Sequence, residues 1–316
     1  MKADPSGNGV IPAVSGQDLV QAVPGLADLC ELEVKEFSNI PSCQMTPEKM
    51  HELAKQVKET LADPQVSGVV ITHGTDTVEE SAFYLDTVLD EKKPVVFTAA
   101  MRDAGGLSPD GPKNILCAVK TALEPEAASI GTVVVLNEQI HSAREVAKTH
   151  AANTAAFASP WWGPLGYVDD DRAIILRKPA ERPHFFPEKP GREVYLLKMT
   201  AGMSSEIIDA LIEKNVAGIV IEGFGRGNVP PQIQQAMLRA VKKGIPVVLT
   251  SRTGGGRPAH AYGYAGGGKI SWKGGVIFGG ELTGPKARLL LMLALGMTSD
   301  QNKIREYFDK MPGACL

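Results

Sequence analysis

Short apolar runs rich in valine and isoleucine alternate along this chain with amphipathic helical patterns, and no other feature constrains its fold as strongly. The first helix is predicted to begin at Thr46-Pro47, where a capping residue precedes a proline in the first turn. A β-rich run over residues 66–72 follows it. Because such alternation is typical of a parallel sheet whose faces are covered by helices, the sequence predicts an α/β fold.

The caps and the spacing of apolar residues identify the predicted helices. A second helix is expected to open at Thr77, with Glu80 at the spacing of a capping box. The apolar stripe expected for the first helix consists of Met50, Leu53, Ala54, Val57 and Leu61. Further strands are predicted over residues 94–100, 131–136, 194–199, 217–221 and 246–250, and further helices from about residue 112 and over residues 205–214, 231–243, 285–295 and 300–309.

The length of the chain predicts two domains. Its 316 residues exceed the size of about 250–300 residues at which a single core stops growing. Four prolines, Pro179, Pro183, Pro187 and Pro190, mark a stretch that is expected to form an extended linker. We predict an N-terminal domain over residues 1–177, a linker over residues 178–192 and a C-terminal domain over residues 193–316, each domain being a mainly parallel sheet flanked by helices.

The charge pattern indicates the kind of partner. The net charge is only −3, and basic and acidic residues are interspersed, which is not the pattern of a surface that binds nucleic acid or anionic lipid. No apolar stretch has the length that spans a bilayer, and the first ten residues contain no apolar signal region. We expect a small-molecule partner and a cytoplasmic protein that binds neither nucleic acid nor membrane.

The cysteines indicate neither a metal centre nor a disulfide framework. The four of them, Cys30, Cys43, Cys117 and Cys315, form no CxxC pair and have no metal-ligand spacing with the histidines. All four are expected to be free thiols, and we expect no metal site.

The densest polar cluster follows the strand predicted over residues 66–72 and runs from His73 to Thr77. In an α/β sheet, ligands bind outside the carboxyl ends of the strands. A purely structural turn explains Gly74 and Thr77, but it leaves Thr75 and Asp76 without a packing role. These two side chains are therefore candidates for function.

A threonine hydroxyl becomes a nucleophile only when a base removes its proton, and lysine is one such base. Lys148 follows the strand predicted over residues 131–136 by a dozen positions, from where it can return to the same sheet edge. Most lysines are solvated surface residues, and spacing alone does not distinguish the two roles.

A resemblance to a known family distinguishes a catalytic Lys148 from a surface lysine. The eleven residues from Gly68 to Val78 resemble the second signature of the bacterial-type L-asparaginases. Other segments resemble the same family in the same order: Phe37-Ser-Asn-Ile-Pro-Ser42, Ala99-Ala-Met-Arg102, Ser108-Pro-Asp-Gly-Pro112, Lys148-Thr149, Trp162-Gly-Pro-Leu-Gly-Tyr167 and Ala287-Arg288. The similarity therefore extends over nearly the whole chain.

The resemblance implies a fold, a reaction and a set of site residues. The fold is a larger flavodoxin-like N-terminal domain and a smaller C-terminal domain. Thr75, Lys148 and Asp76 match the family's catalytic threonine, lysine and aspartate, and Asp76 also matches the carboxylate that binds the substrate's α-amino group. Ser42 matches the residue that binds the α-carboxylate, and Ala100 matches a backbone carbonyl that contacts the amide. The reaction is hydrolysis of L-asparagine to L-aspartate and ammonia through an acyl-enzyme, without a metal or organic cofactor, in a homodimer or homotetramer.

The start of the chain departs from the family pattern. Bacterial-type asparaginases open with a buried strand and a Thr-Gly-Gly-Thr-Ile turn, whose first threonine is usually taken as the covalent nucleophile. The residues from Met1 to Gly7 resemble those directly after that turn. We therefore expect this chain to lack the strand and the threonine, and to hydrolyse weakly unless they are restored. A start codon assigned too far downstream is favoured over a truly shortened chain, because every later motif is intact.

Two further departures concern the substrate. Cys43 is expected to line the substrate site, but many relatives have glutamine or another polar residue there, so asparagine and glutamine both stay open as substrates. Many relatives also donate a glutamate from the second domain to the neighbouring subunit, and residues 271–280 here contain none. Neither Glu222 nor Glu281 can be assigned to that role.

Alternative functions remain open from the sequence. An amino-acid-binding protein without turnover fits the missing threonine, and an ammonia-generating amidotransferase subunit shares the chemistry. A nucleotide site at Gly223-Phe-Gly-Arg-Gly227 is disfavoured, because the complete dinucleotide fingerprint is absent. Glycine clusters at residues 254–256 and 266–268 are expected to be mobile loops.

Overall fold

The computed structural model of this chain describes residues 2–3, 6, 10–11, 14–181 and 183–314, which divide into two units. The first unit is Met1–Pro179 and the second is Ala180–Leu316. The division falls inside the stretch that was predicted as a linker. Cys315 and most of the first seven residues lie outside the described residues, so the expectations for them stay predictions.

The elements of the first unit, in chain order, are β1 Lys2–Ala3, β2 Val10–Ile11, α1 Gly16–Gln21, α2 Pro47–Leu61, β3 Val69–Thr72, α3 Val78–Val88, β4 Val95–Thr98, α4 Gly111–Leu123, β5 Thr132–Leu136, β6 Gln139–Ser142, β7 Ala147–Lys148, β8 Phe157–Ala158, β9 Gly166–Val168 and β10 Ala173–Ile175. Six of these strands form one sheet, in the order β10-β9-β6-β5-β4-β3. Its strands β3, β4 and β5 are parallel, and the β5–β6, β6–β9 and β9–β10 pairs are antiparallel. Strands β5 and β6 are joined only by Asn137 and Glu138, whose φ angles of 48° and 63° are those of a tight hairpin turn. Because that turn reverses the chain, the sheet is mixed rather than mainly parallel.

Helix α2 forms as the sequence predicts. The Thr46 hydroxyl accepts a hydrogen bond from the Lys49 backbone N–H at 3.3 Å, and Pro47 is the first helical residue. All five residues of the predicted apolar stripe are buried.

The capping box predicted at the start of α3 is wrong. Thr77 stands at the N-cap but makes no side-chain capping bond, and its hydroxyl instead donates to the backbone oxygen of Ser42 at 2.7 Å. The Thr77 hydroxyl is therefore bonded to a residue 35 positions away in the sequence, and it is not available to cap the helix as the local spacing predicts.

The elements of the second unit, in chain order, are β11 Val194–Lys198, α5 Glu206–Glu213, β12 Gly218–Gly223, α6 Pro231–Lys242, β13 Val247–Ser251, α7 Gly268–Lys273, β14 Ile277–Phe278, α8 Gly284–Met297 and α9 Gln301–Asp309. The strands form a parallel four-stranded sheet in the order β11-β12-β13-β14. The unit's apolar core lies between the sheet and α5 and α6, while α8 packs on β11, β12 and β13. The prediction of two α/β domains is confirmed.

Close packing contradicts the expectation that residues 266–268 form a mobile loop. A Cβ on Gly266 would lie 2.2 Å from the Val229 oxygen, and one on Gly268 would lie 2.4 Å from the Ala259 oxygen. The buried Gln234 amide also accepts from the Gly266 N–H at 2.8 Å and donates to the Gly267 oxygen at 2.9 Å. These glycines are required because neighbouring backbone leaves no room for a side chain.

Within the described ranges, every helix is too short or too polar to traverse a lipid bilayer. The same ranges contain no group of three or more His, Cys, Asp or Glu side chains placed to hold a metal ion. Cys30, Cys43 and Cys117 are free thiols.

Candidate active site

The polar turn that follows β3 lies at the carboxyl end of the parallel strands. Thr72 at the end of β3 pairs with Thr98 of β4, and the His73 N–H donates to the Thr98 oxygen at 2.8 Å. The chain then turns through Thr75 and Asp76 before α3 begins. This is the edge at which α/β sheets bind their ligands.

Lys148 lies beside this turn. Its Nζ is 3.0 Å from Thr75 Oγ1 and 2.9 Å from Asp76 Oδ1, although the residues are 73 and 72 positions apart in the sequence. The Lys148 side chain is 19% exposed and that of Asp76 is 60% exposed. The lysine is thus shielded, while the carboxylate remains open to solvent and to a ligand.

Ser42 is bound to the same turn from another part of the chain. Its Oγ accepts a hydrogen bond from the Asp76 N–H at 3.1 Å, which leaves its own hydroxyl hydrogen for a further acceptor. A Cβ on Gly74 would lie 2.6 Å from Ser42 Oγ, so only glycine allows this approach. The structure brings Ser42 to Thr75, Asp76 and Lys148.

Cys43 and Ala100 adjoin the segments described above but make fewer contacts with the turn after β3. Cys43 follows Ser42 in a short 3-10 turn, Ser42–Gln44, and its thiol is exposed. Ala100 is exposed directly after β4. Among the described residues, neither one makes a hydrogen bond to Thr75, Asp76 or Lys148.

The loop that contains Ala100 is fixed by two polar side chains. The Asp110 carboxylate accepts from the N–H groups of Met101 and Arg102 at 3.0 and 2.9 Å. Asn114 Nδ2 donates to the Ala99 oxygen at 3.0 Å. The backbone on both sides of Ala100 is therefore restrained.

His73 supports the turn in its neutral form. Since the Gly74 oxygen only accepts, His73 Nδ1–H donates to it at 2.8 Å, and Nε2 is left to accept from the Ser81 hydroxyl at 3.0 Å. Burial lowers the pKa of His73 below its ordinary value, although the bond to Gly74 opposes that shift. Sequence reasoning placed His73 in the cluster without assigning it a function.

Glu79 is a second residue whose contact sequence reasoning missed. Its Oε2 accepts a hydrogen bond from the Lys148 backbone N–H at 2.7 Å. An acid in the first turn of a helix is ordinarily explained by the helix dipole alone, so the sequence carried no signal for this contact.

A hydroxyl, an amine and a carboxylate at the carboxyl end of a parallel sheet are the parts of a hydrolase that uses a hydroxyl nucleophile. Comparison with known proteins defines the family. The family model described as "Asparaginase, N-terminal" matches residues 1–181, and the family model described as "Glutaminase/Asparaginase C-terminal domain" matches residues 193–308. The chain therefore belongs to the asparaginase family, as the motifs indicated.

Individual relatives are similar over most of their length. The chain is 36% identical to L-asparaginase 2 of Bacillus subtilis over 94% of this chain and 79% of that protein. It is 37% identical to a probable L-asparaginase of Deinococcus radiodurans over 97% of this chain and 92% of that protein. A crystal structure of a probable cytoplasmic L-asparaginase from Campylobacter jejuni matches with a TM-score of 0.85 and 37% identity, over 94% of each chain.

Proposed function

We propose that this chain hydrolyses L-asparagine to L-aspartate and ammonia through a threonine-based acyl-enzyme. The contact of Lys148 Nζ with Thr75 Oγ1, at 3.0 Å, is the observation that carries this proposal. Family membership supports the substrate class, since the matched relatives are named as asparaginases.

The proposed reaction uses only side chains of this chain and water. Neutral Lys148 takes the proton from Thr75 Oγ1 as that oxygen attacks the carbon of the side-chain amide. The tetrahedral intermediate collapses to an ester, and the leaving ammonia takes a proton from Lys148. Water then attacks the ester, which releases aspartate and restores the threonine. Asp76 holds the lysine in place, since its carboxylate is 2.9 Å from Nζ.

The proposed substrate contacts select an α-amino acid. The exposed Asp76 carboxylate binds the α-ammonium group, and the Ser42 hydroxyl donates to the α-carboxylate. The Ala100 carbonyl accepts from the substrate amide, and Cys43 lines the space next to Ser42. L-glutamine remains a second candidate substrate, because one matched family description names glutaminases as well. The two substrates differ by one methylene, which changes binding only modestly.

The resemblance implies a further threonine, in the strand and turn that stand before the equivalent of Met1 in the family pattern. In a protein made of the 316 residues alone, Thr75 is the attacking hydroxyl and ammonia release is expected to be slow, because the family usually uses that further threonine as its covalent nucleophile. The same protein with a strand and a Thr-Gly-Gly-Thr turn added before Met1 is expected to release it faster.

We further propose a homodimer or homotetramer in the cytoplasm. The family resemblance supports the assembly, and the name of the Campylobacter jejuni relative supports the location. Light scattering after size exclusion measures the assembly, and cell fractionation measures the location.

Ammonia release from asparagine and from glutamine tests the proposed reaction. The 316-residue protein, the extended protein and a Thr75→Val variant of each are compared, and calorimetry measures asparagine binding to all four. We expect binding in all four, and turnover that depends on Thr75. If asparagine binds to both parent proteins but neither releases ammonia, the chain is an amino-acid-binding protein and the hydrolase proposal is wrong.

A further inference from the structure

The strand that carries Lys148 is not part of the main sheet. Strand β7 consists of Ala147 and Lys148, and among the described residues its strand partner is β8, in a separate two-stranded ladder. This ladder reaches the six-stranded sheet through residues 143–146, which follow β6 directly and whose Ala143 N–H donates to the Thr132 oxygen of β5 at 3.1 Å. A further contact joins the backbone of Lys148 itself to the helix that follows the turn after β3.

Glu79 supplies that contact. Its Oε2 accepts from the backbone N–H of Lys148 at 2.7 Å, across 69 positions of sequence. Glu79 is the second residue of α3 and stands four positions after Thr75. The turn that contains Thr75 and the first turn of α3 are therefore one continuous local unit. A carboxylate is a strong acceptor, and this bond ties the lysine's main chain to the unit that carries the proposed nucleophile.

The side-chain contacts of Lys148 do not replace this bond during the reaction. The contact with Asp76 is strong while the amine is an ammonium ion, and it loses its charge attraction when the lysine is neutral. A neutral lysine is the form that takes the Thr75 proton in the proposed reaction. The Glu79 bond goes to the backbone N–H, so its strength does not depend on the protonation of Nζ.

We infer that Glu79 is a positioning residue, which holds Lys148 within reach of Thr75 Oγ1 in both protonation states of the lysine. This inference rests on the proposed function. Glu79 touches neither the substrate nor the reacting atoms. Its effect therefore belongs to the proton-transfer step and not to substrate binding.

A purely structural effect has to be separated from this positioning. An acid in the first turn also stabilises a helix through the dipole, so its removal lowers thermal stability even where the reaction is unaffected. Three variants separate the two effects. Glu79→Ala removes the acceptor, Glu79→Gln keeps an acceptor oxygen without the charge, and Glu206→Ala removes an exposed acid from the first turn of α5 as a matched control.

The kinetic test uses the protein in its active form and measures kcat, KM and Tm. We expect Glu79→Ala to lower kcat roughly 10- to 100-fold, since small displacements of a catalytic group have effects of that size, with KM nearly unchanged. Glu79→Gln should recover most of this loss and stay within about 3-fold of the parent, because a neutral acceptor replaces a charged one. Glu206→Ala should match the parent in kcat. A Glu79→Ala protein with the parent kcat overturns the inference, as does a Glu79→Gln protein as impaired as Glu79→Ala.

Chemical labelling of Lys148 gives a measurement that does not depend on turnover. Acetic anhydride is applied at low dose, and the labelling rate of Lys148 is compared with that of exposed Lys55 by mass spectrometry. We expect Lys148 to be labelled severalfold faster in Glu79→Ala and at nearly the parent rate in Glu79→Gln. An unchanged Lys148 rate in Glu79→Ala overturns the inference. A parent protein without any ammonia release would instead overturn the proposed function, while labelling would still decide whether Glu79 holds Lys148.

Discussion

Lys148 is the residue on which the proposed chemistry depends most directly. Methionine has a similar length and no proton to exchange, so Lys148→Met removes the base while it preserves much of the packing. We predict that kcat falls roughly 10²- to 10⁴-fold, the range found for loss of a general base. Asparagine binding should persist, because Ser42 and Asp76 are unchanged.

Ammonia release and calorimetry on the same preparation check this prediction, with Lys55→Met on the exposed face of α2 as control. If Lys148→Met hydrolyses asparagine at the parent rate, Lys148 is not the base. If it loses binding and turnover together, its role lies in holding the turn and not in proton transfer.

The sequence identified these residues only in part. Thr75 and Asp76 stood out because they are adjacent polar residues after a strand, which local reasoning can recognise. Lys148 could not be distinguished from a surface lysine by spacing, because its contact with Thr75 spans 73 positions. The family resemblance assigned Lys148 to the same site as Thr75 and Asp76, and the structure adds the distances between their side-chain atoms. Glu79 was missed because its bond goes to a backbone N–H, which no residue pattern encodes.

His141 gives a prediction for the dependence of stability on pH. It lies on β6 with Nδ1 3.0 Å from Ser159 Oγ, and only 1% of it is exposed. Burial, and secondarily the positive charge of Arg177, lowers the pKa of His141 to about 4. In the unfolded chain the ring titrates near its ordinary pKa of about 6.5.

Between these two values the unfolded state binds a proton that the folded state does not, so stability falls as the pH decreases from about 6.5 to about 4. The full effect is about 3.5 kcal/mol, from a pKa difference of about 2.5 at about 1.4 kcal/mol for each pKa unit. We predict that His141→Gln flattens the pH dependence of Tm over this interval. An equal slope in parent and variant would assign the acid sensitivity to other groups.

At the scale of elements, the approach of the 3-10 turn Ser42–Gln44 to the turn after β3 depends on Gly74. The Cβ of an alanine at this position would lie 2.6 Å from Ser42 Oγ and 2.8 Å from Ser42 Cβ. Gly74→Ala must therefore displace Ser42, since both atoms belong to a short side chain that cannot move away cheaply.

We predict that Gly74→Ala raises KM by roughly 10-fold or more through loss of the carboxylate contact, an effect of about 1.4 kcal/mol or more. Gly263→Ala is a useful comparison for general effects of alanine, because its Cβ would meet open space and its φ is not in the left-handed region. Steady-state kinetics and Tm measured on both variants separate the two effects. An unchanged KM in Gly74→Ala would contradict a substrate role for Ser42.

The accuracy of the predicted elements follows from where their determinants lie. Helix α2 was predicted correctly because its cap, its proline and its apolar stripe are all local. The Thr77 cap was wrong because Ser42 competes for the hydroxyl from 35 positions away. Strands β6, β9 and β10 were not predicted, since each has four residues or fewer and their pairing depends on the hairpin at Asn137. Such short strands have little periodicity of their own.

At the scale of the whole molecule, two domains were predictable because length and a run of prolines are properties of the entire chain. Each unit contains its own apolar core. One core cluster of the first unit contains Val96, Val133 and Ile140, and one core cluster of the second unit lies between Met199 and Phe278. A core confined to one segment is what allows that segment to fold alone.

We predict that residues 180–316, produced alone, fold cooperatively. The parallel sheet, the helices on it and the core cluster all lie within this segment, so no strand of the sheet is lost by the separation. Circular dichroism should show the helix content of α5 to α9 and a single thermal transition. Ile233→Ala, at a fully buried position of α6, should lower its stability by roughly 2–5 kcal/mol, whereas Ile207→Ala, at a half-exposed position of α5, should change it by less than about 0.5 kcal/mol. Broad melting that is equally insensitive to both substitutions would mean that the core forms only when residues 1–179 are present.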